Sequence, residues 1–343
     1  MSVGDGRAIE FVAPGEVDVV DFDTPAPGPG EVLVETELSA VSAGTELLAY
    51  RGDLDSTTTA DEELAALNGD MSYPLRYGYA AVGEVTAVGD GIDSAWLGRT
   101  VFGFNPHESR FLAEPADLQP VPDGVDPETA ALFANAETAV NFALDGAPRI
   151  GERVAVFGQG VVGLLTTALL SRSGAETVVA VEPRDHRRGL AADLGADETV
   201  DPTAEDAAAA VRGLTDGVDL AVEVSGRIET LETAVESARY DGRVLVGSWY
   251  GTKRAELGFG DRFHRGRVAV ESSQVSTIAP ELRGRWDRDR RRKTAWRELD
   301  RLAAEAQIAD RLVTDRIPAE DAPAAYDRLA NDPENALQLL FTY

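Results

Sequence analysis

The pattern of hydrophobic and polar positions changes character twice along the chain of 343 residues. In residues 1–135, short apolar stretches are broken by Gly and Pro, which is typical of strands joined by turns. In 136–274, apolar runs of strand length alternate with helical stretches, which indicates a doubly wound parallel sheet. In 275–343 the pattern is mixed, with a helix predicted at 290–306 and a last strand at 337–343. We therefore predict an α/β protein in which a central domain with a doubly wound parallel sheet lies between a strand-rich first part and a mixed last part.

The predicted elements follow from these periodicities. In the first part, strands are expected at 17–22, 31–38, 83–88 and 99–103. In the central part, strands are expected at 153–157, 177–181, 218–224, 243–247 and 267–271. Helices are expected between them, near 161–172, 185–194, 204–212 and 227–238.

A Gly-x-Gly-x-x-Gly turn follows the first strand of the central part. The apolar run 153–157 leads into Gly158, Gly160 and Gly163, and a helix is predicted to begin there. Such glycines allow a tight turn, close approach of the backbone to a pyrophosphate, and packing of the helix on the strand. The next apolar run ends in Glu182, about 20 residues after the last glycine, where this motif places a carboxylate for the adenosine ribose. The segment therefore predicts a dinucleotide site.

Acidic residues dominate the charge. Asp and Glu number 60 against 32 Lys and Arg, which gives a formal net charge of −28, and the only lysines are Lys253 and Lys293. Such a surface repels nucleic acid and anionic membranes, so we expect neither as a partner. Because acidic, lysine-poor surfaces suit salty cytoplasm, we hypothesise a halophilic protein with salt-dependent stability.

The chain contains no cysteine. This excludes disulfide bonds, a catalytic thiol and any zinc site built on thiolates. Residues 1–6 lack the basic and apolar regions of a signal peptide, and the apolar run 161–170 is too short to cross a bilayer. We therefore expect a cytoplasmic protein.

Several segments resemble the medium-chain dehydrogenase/reductase superfamily, over essentially the whole chain. They are 31–35, 44–46, 73–74 with 78–85, 121–124 and 195–197. The resemblance implies that the N- and C-terminal parts form one GroES-like catalytic domain and that the central part is a Rossmann domain. It also implies a small organic substrate in a cleft beside a nicotinamide cofactor, and a homo-oligomer, a dimer or a tetramer.

The sequence departs from the zinc-dependent members where they bind metal. Ser42 stands where they carry Cys, Tyr79 where they carry His, and the third ligand region reads Phe133-Ala134-Asn135. The structural lobe with four cysteines is missing as well. Because zinc depends on Cys, His or carboxylate ligands at set positions, we predict no metal. Segments 42–46 and 106–108 look most like zinc-lacking members grouped with bacteriochlorophyllide dehydrogenase, and only this grouping is carried over, not the pigment as substrate.

The resemblance implies cofactor contacts position by position. Val162 is expected behind the nicotinamide with Thr138 near it, and Val246 and Gly247 beside the nicotinamide. Val224, Ser225 and Gly226 are expected near the adenosine-side ribose and the pyrophosphate. Core packing is an alternative for the valines, because buried parallel strands are Val-rich. The full set is Thr138, Gly158, Gly160, Val161, Val162, Gly163, Glu182, Arg184, Val224, Ser225, Gly226, Val246 and Gly247.

The choice between NAD and NADP depends on Glu182. A carboxylate accepts hydrogen bonds from a ribose 2′-hydroxyl and repels a 2′-phosphate, which favours NAD. Arg184, Arg187 and Arg188 follow at once, however, and could cover a 2′-phosphate if Glu182 turned away. NADP therefore stays open, and a solvated helix face is the other interpretation of these arginines.

Without a metal, a hydrogen-bond donor must stabilise charge on the substrate oxygen. Tyr79 is the first catalytic candidate, because a phenol can donate to a carbonyl oxygen or take a proton from an alcohol. It could instead merely fill the space of the missing metal. His107 is the second candidate, since its loop replaces the lobe near the cleft mouth, and the alternative is a surface histidine. Glu46 and Asn135 are further candidates for a relay or a substrate grip, although Glu46 could simply anchor a turn or pair with an arginine.

The resemblance places three further polar residues around the former metal site, namely Ser42, Thr45 and Glu137. A basic segment, 283–301, stands out from the acidic background. It could attract an anion, but we favour pairing with acids, because Asp287, Asp289, Glu298 and Asp300 are interleaved with its cations.

Together, the residues and the family resemblance imply a zinc-independent NAD(P)-dependent oxidoreductase that moves a hydride between nicotinamide and an alcohol or carbonyl carbon of a small molecule. NADPH-dependent reduction of an enone or quinone is an alternative, because it needs no strong base. A non-catalytic nucleotide-binding protein is another.

Overall fold

A computed structural model describes residues 2–59, 65–67, 69–332 and 334–343 of the chain. It divides into two compact units. Unit 1 comprises Met1–Ala134 and Leu299–Tyr343, and unit 2 comprises Asn135–Glu298. Among the described residues, no helix combines the length and the apolar composition that crossing a bilayer requires.

Strands predominate in the first part of the chain. They are β1 (Ser2–Ala13), β2 (Glu16–Pro25), β3 (Val32–Ala40), β4 (Leu75–Arg76), β5 (Ala81–Val88), β6 (Thr100–Gly103), β7 (Arg110–Ala113) and β8 (Leu118–Pro120). The helices of this part are α1 (Ala43–Arg51), α2 (Pro127–Ala131) and α3 (Phe133–Gly146), the last of which begins just before the boundary between the units.

Strands and helices alternate in the second part. The strands are β9 (Arg153–Phe157), β10 (Thr177–Val181), β11 (Glu198–Val200), β12 (Val218–Glu223), β13 (Ala238–Val246) and β14 (Ala269–Ser272). The helices between them are α4 (Val161–Leu170), α5 (Asp185–Asp193), α6 (Ala207–Thr215) and α7 (Thr230–Ser237). The chain then forms α8 (Arg288–Ala306), α9 (Ile308–Leu312), β15 (Val313–Pro318), α10 (Ala322–Asn331) and β16 (Gln338–Thr342).

Unit 1 is built on two sheets. Seven strands form the larger one, in the order β15-β16-β3-β5-β6-β8, with β7 also paired to β3. Only β15 and β16 run parallel among its described pairs. Val32, Val34, Val85 and Val101 pack in one core of this sheet, and β2, β1 and β4 form the smaller sheet. This is the strand-rich domain that the sequence predicts.

Unit 2 is a six-stranded parallel sheet in the order β11-β10-β9-β12-β13-β14. The chain builds outward from β9 to β11 and then returns to place β12 on the other side of β9. Such a reversal opens a crevice at the carboxyl ends of the two central strands, where ligands bind in doubly wound sheets. Both faces of β9 and β10 are buried, which explains their continuous Val-rich runs.

The second boundary between the units differs from the predicted return at residue 275. Unit 2 continues to Glu298, and the reason lies in Arg291, whose side chain is 2% exposed. Its guanidinium donates to Glu137 Oε1 at 2.9 and 3.1 Å and to Asn141 Oδ1 at 2.8 Å. Since both partners belong to α3, this buried ion pair holds the start of α8 to the nucleotide-type domain. One arginine of the basic segment is therefore a core residue, paired with an acid that lies far away in sequence.

Candidate functional site

The glycine turn of unit 2 lies between β9 and α4. Gly158 has φ +95°, and a Cβ on it would lie 2.6 Å from Cα of Ser225. A Cβ on Gly163 would lie 2.0 Å from the carbonyl oxygen of Gly158. A Cβ on Gly160, in contrast, would meet nothing within 4 Å. The fold itself thus requires Gly158 and Gly163. Gly160 instead borders open space, in which a ligand can approach the protein backbone closely.

The N-terminus of α4 faces the same space. Gly160 is the N-cap residue and provides no side chain to cap the helix. Val161 and Val162 are partly exposed in the first turn, and the amide groups of a first helical turn lack intrahelical acceptors. With a pyrophosphate, such amides and the helix dipole provide a favourable anion site.

Glu182 follows β10 and lies beside the glycine turn. Its carboxylate is buried, and its Oε2 accepts a hydrogen bond from the N–H of Gln159 at 2.9 Å. Its Oε1 accepts one from the N–H of Arg184 at 3.1 Å. The acid is therefore fixed beside the turn, and the dinucleotide motif uses an acid in this part of the fold for the adenosine ribose.

The arginines that follow Glu182 do not all face it. Arg184 Nη1 lies 3.5 Å from Glu182 Oε1. Arg188 instead donates to the carbonyl oxygens of Glu182 and Pro183 and pairs with Asp185 and Asp201. Its guanidinium is therefore engaged in holding the start of α5, which leaves it less available to a 2′-phosphate.

A second set of predicted cofactor residues follows β12 and β13. Val224, Ser225 and Gly226 come directly after β12, while Val246 ends β13 and Gly247 follows it. All five are partly exposed. Val162 and Val224 pack against one core of the sheet. Each of these valines therefore contributes to the core and still keeps part of its surface exposed. Thr138 lies on α3 and is partly exposed as well.

Glu223 and Tyr250 belong to this region and were missed in the sequence. Glu223, the last residue of β12, is 0% exposed, and its carboxylate accepts hydrogen bonds from Ser225 and from the Tyr250 hydroxyl. A signal was present, because an acid at the end of the buried run Leu220-Ala-Val breaks its apolar pattern. Nothing local pointed to Tyr250 as its partner.

Tyr79 lies in unit 1, partly buried, with two hydroxyl neighbours. Its phenol oxygen is hydrogen-bonded to Ser42 Oγ and lies 3.3 Å from Thr45 Oγ1. Ser42 is the N-cap residue of α1, yet its side chain does not cap the helix. Three hydroxyl groups thus converge, and together they can donate to and accept from a polar ligand atom.

His107 and Glu46 lie in the interior of unit 1, and the structure puts neither at the surface. Each side chain is 0% exposed, and His107 Nε2 lies 3.1 Å from Glu46 Oε2. The histidine Nδ1 is hydrogen-bonded to Ser39 Oγ at 2.7 Å. Glu46 also accepts from the Tyr326 hydroxyl at 2.5 Å and, through Oε1, from the N–H of Ser42 at 2.7 Å. Glu46 therefore anchors the start of α1 and pairs with a histidine.

The polar positions of α3 belong to unit 2. Asn135 is buried at 9% exposure, and Glu137 is the partner of Arg291. Glu137 is thus committed to a structural ion pair in this unit.

Zinc ligands are lacking at the positions where the sequence resemblance puts them. Ser42, Tyr79 and Asn135 present a hydroxyl, a phenol and an amide, whereas protein zinc sites use Cys, His or carboxylate groups. His107 and Glu46, also in unit 1, are hydrogen-bonded to each other, and their other polar contacts are with Ser39, Ser42 and Tyr326. These donor groups do not fit a catalytic zinc.

Comparison with known proteins identifies the family. A profile described as zinc-binding dehydrogenase matches residues 161–288. L-threonine 3-dehydrogenase of Pyrococcus horikoshii is 30% identical over 278 residues, which cover 71% of this chain and 76% of that protein. The chain belongs to the medium-chain dehydrogenase/reductase superfamily. With that membership it is an oxidoreductase.

Two further likenesses extend over almost the whole chain of this superfamily member. D-guloside 3-dehydrogenase of Escherichia coli K12 is 23% identical over 346 residues, covering 97% of this chain and 95% of that one. The short chain alcohol dehydrogenase of Escherichia coli CFT073, solved with NADH, has a TM-score of 0.78 at 17% identity and covers 100% of both chains. This second likeness shows the fold.

The match to the zinc-binding profile has no bearing on the metal. The matched residues, 161–288, lie within unit 2. Ser42, Tyr79 and the segment 133–135, which the sequence resemblance places at the metal positions of the zinc-dependent members, all lie outside the matched range.

Proposed function

We propose that this superfamily member is a zinc-independent, NAD-preferring oxidoreductase that transfers a hydride between nicotinamide and an alcohol or carbonyl carbon of a small molecule. The observation that carries the proposal is the contact between Glu182 Oε2 and the N–H of Gln159. It holds a carboxylate beside a glycine turn whose middle glycine borders open space. The solved relative that contains NADH has the same fold.

The residues of unit 2 fit a dinucleotide. Gly160 and the uncapped first turn of α4 would hold the pyrophosphate, and the Glu182 carboxylate would accept hydrogen bonds from the adenosine ribose. When bound, the nicotinamide accepts or supplies the hydride. Glu182 disfavours a 2′-phosphate because both groups are anionic, and Arg188 is engaged elsewhere.

The residues of unit 1 provide the chemistry at the substrate oxygen. The Tyr79 hydroxyl would bind that oxygen, donating to a carbonyl or receiving the proton of an alcohol. Ser42 Oγ and Thr45 Oγ1 would stabilise charge on the phenol oxygen as a proton passes. Glu46 acts indirectly, since it holds the N–H of Ser42.

Binding of both nucleotides to the purified protein, measured by calorimetry in molar KCl, tests the cofactor preference. The wild type is expected to bind NAD⁺ at least about tenfold more tightly than NADP⁺, because the carboxylate favours the 2′-hydroxyl. Glu182→Gln keeps an acceptor for Gln159 but removes the charge, so the ratio should move towards one. Glu205→Gln, which makes the same charge change at an exposed position of unit 2, is the matched control. Uptake of neither nucleotide, or a preference for NADP⁺, contradicts the proposal.

A turnover screen separates the remaining alternatives. Alcohols, ketones, enones and quinones are offered with both nucleotides, and bound metal is measured by elemental analysis. Oxidation of alcohols or reduction of ketones supports the proposal, while turnover of enones or quinones alone supports the NADPH-dependent reductase. Nucleotide binding without any turnover supports a binding protein, and stoichiometric zinc contradicts the metal-free chemistry. The predicted homo-oligomer is checked by sedimentation on the same sample.

A further inference from the structure

The carboxylate of Glu223 is fully buried without a cation. It is 0% exposed at the end of β12, and in the described part of the chain no Lys or Arg nitrogen pairs with it. Its charge is instead supported by the N–H of Ser225 at 2.8 Å, by Ser225 Oγ at 2.5 Å and by the Tyr250 hydroxyl. Burying a carboxylate is costly, and removing one of so few donors leaves it poorly satisfied.

Tyr250 is held as a permanent donor. Burial and the negative charge of Glu223 raise the pKa of its phenol far above the usual value. Its proton therefore stays on the phenol oxygen and is directed to Glu223 Oε2, since a carboxylate offers only acceptors. Tyr250 is thus unsuited to act as a base, but its hydroxyl can hold the loop after β13 to Glu223.

Glu223 connects two loops. Its carboxylate holds Ser225 in the loop after β12 and Tyr250 in the loop after β13. Its main-chain oxygen accepts from the N–H groups of Gly247 at 2.9 Å and Ser248 at 3.2 Å. Ser248 Oγ in turn accepts from the N–H of Gly226 at 2.9 Å. Several hydrogen bonds therefore hold the two loops to each other.

These loops lie at the carboxyl ends of β12 and β13, next to the glycine turn. A Cβ on Gly158 would lie 2.6 Å from Cα of Ser225, so turn and loop are in direct contact. Glu182, on the β10 side of the turn, marks the adenosine half of the crevice. Val224, Ser225 and Gly226, after β12, are expected near the adenosine-side ribose and the pyrophosphate, whereas Val246 and Gly247, at the end of β13, are expected beside the nicotinamide.

We propose that Glu223 and Tyr250 are positioning residues, whose hydrogen bond holds the loop after β13 in place to receive the nicotinamide half of the dinucleotide. The inference rests on the proposed function. It assigns a role to two residues that both lie outside the glycine motif, of which Tyr250 also lies outside the strands. It also predicts that loss of this hydrogen bond weakens binding of the nicotinamide half of the ligand and not of the adenosine half.

Ligand fragments test the assignment by binding, independently of turnover. Calorimetry compares NADH, which carries the nicotinamide, with ADP-ribose, which lacks it. In Tyr250→Phe the dissociation constant of NADH should rise about tenfold, the effect of losing one hydrogen bond to a charged group, while that of ADP-ribose stays within about twofold. Tyr240→Phe removes a phenol that is 64% exposed in the same unit and should change neither value.

The other outcomes are distinguishable. An equal loss of affinity for NADH and ADP-ribose indicates a general structural role and overturns the inference. An unchanged affinity for NADH overturns it as well. If Tyr250→Phe does not fold, Ser225→Ala removes one donor from the opposite carboxylate oxygen and should give the same selective loss. A wild type that binds neither ligand refutes the proposed function itself, whereas a wild type that binds both, with no selective loss in either variant, refutes only the positioning role.

Discussion

His107 and Glu46 form a pair with no exposed surface, Nε2 to Oε2 at 3.1 Å, although 61 positions separate them in the chain. The imidazole packs against Gly78, whose absent Cβ would lie 2.7 Å from the ring. Gly78 precedes Tyr79, and Glu46 fixes the N–H of Ser42, which bonds Tyr79 from the other side. The buried pair therefore sets the position of the proposed oxygen-binding hydroxyls without reaching them itself.

Replacing His107 by Leu should destabilise the protein strongly. Glu46 would lose one of its three donors inside the core, and leaving a buried charge poorly paired costs about 3 kcal/mol. Urea unfolding in molar KCl measures the change in the free energy of unfolding. The control is His264→Leu at an exposed position, expected to stay within about 0.5 kcal/mol. Equal losses in both variants would count against the pairing.

Replacing Tyr79 by Phe should remove activity and keep nucleotide binding. The variant lacks only the hydroxyl that is expected to bind the substrate oxygen, and loss of such an acid–base group lowers kcat about 10²- to 10⁴-fold. Ser42→Ala should give a smaller loss, because the phenol remains. Kinetics with the best substrate of the screen measure kcat and KM, and calorimetry measures nucleotide affinity. A Tyr79→Phe enzyme with unchanged kcat would exclude this role.

The glycine turn allows fold and ligand binding to be separated. Gly160→Ala meets no atom within 4 Å and keeps an ordinary φ of −74°. The protein should therefore fold normally, while dinucleotide affinity falls about tenfold or more, because the methyl group occupies space needed by the pyrophosphate. Gly163→Ala, with its Cβ 2.0 Å from Gly158 O, should instead lose thermal stability.

A matched control exists for these glycine variants. Gly189 lies in α5, and an added methyl group would meet no atom within 4 Å apart from its chain neighbours and the backbone of its own helix. Gly189→Ala should therefore slightly stabilise the helix, by about 0.5–1 kcal/mol. Thermal melting without NAD⁺ measures the stability of each variant, and the shift in melting temperature on adding NAD⁺ measures its nucleotide binding. If Gly160→Ala kept its full NAD⁺-induced shift in melting temperature, the open space beside the turn would not be the pyrophosphate site.

Local patterns predicted five of the six strands of unit 2 and missed the short edge strand β11 (Glu198–Val200). The predicted strands 153–157 and 177–181 coincide with β9 and β10, because a strand buried on both faces needs an apolar side chain at nearly every position. The glycine turn and Glu182 follow from the same local order. The predicted helix 204–212 starts later, at Ala207, because the Asp206 side chain caps it.

Contacts between distant residues were beyond the reach of the sequence. His107 was expected on a surface loop near a cleft, yet its ring is enclosed by Gly78, Glu46 and Ser39. Glu223 and Tyr250 meet through a side-chain geometry that no spacing encodes. Arg291 sits in a basic segment but pairs with Glu137 on α3, 154 positions away. Such pairs depend on tertiary packing, which decides which polar groups of an acidic chain become buried.

The buried tyrosines should make the protein sensitive to alkali. Tyr326 donates to Glu46 at 2.5 Å, and burial with the charge of Glu46 raises the pKa of its phenol well above the usual value of 10.0. Below that value Tyr326 is protonated in both the folded and the unfolded chain, so its contribution to stability is complete. Above it the unfolded chain releases a proton that the folded chain keeps, and the free energy of unfolding falls by about 1.4 kcal/mol per pH unit for this one group.

Tyr326→Phe separates this contribution from the rest of the alkaline transition. The variant should be less stable than the wild type near neutral pH, because Glu46 loses a donor, but its stability should fall less steeply above pH 10.0, the ordinary value for the phenol. Burial also raises the pKa of Tyr343 and Tyr250, so a slope should persist in the variant. Urea unfolding across the alkaline range, with tyrosinate absorbance as a second readout, gives both slopes. If the two proteins lost stability in parallel, Tyr326 would be ionising equally in both states, and its hydrogen bond to Glu46 could not be a buried one.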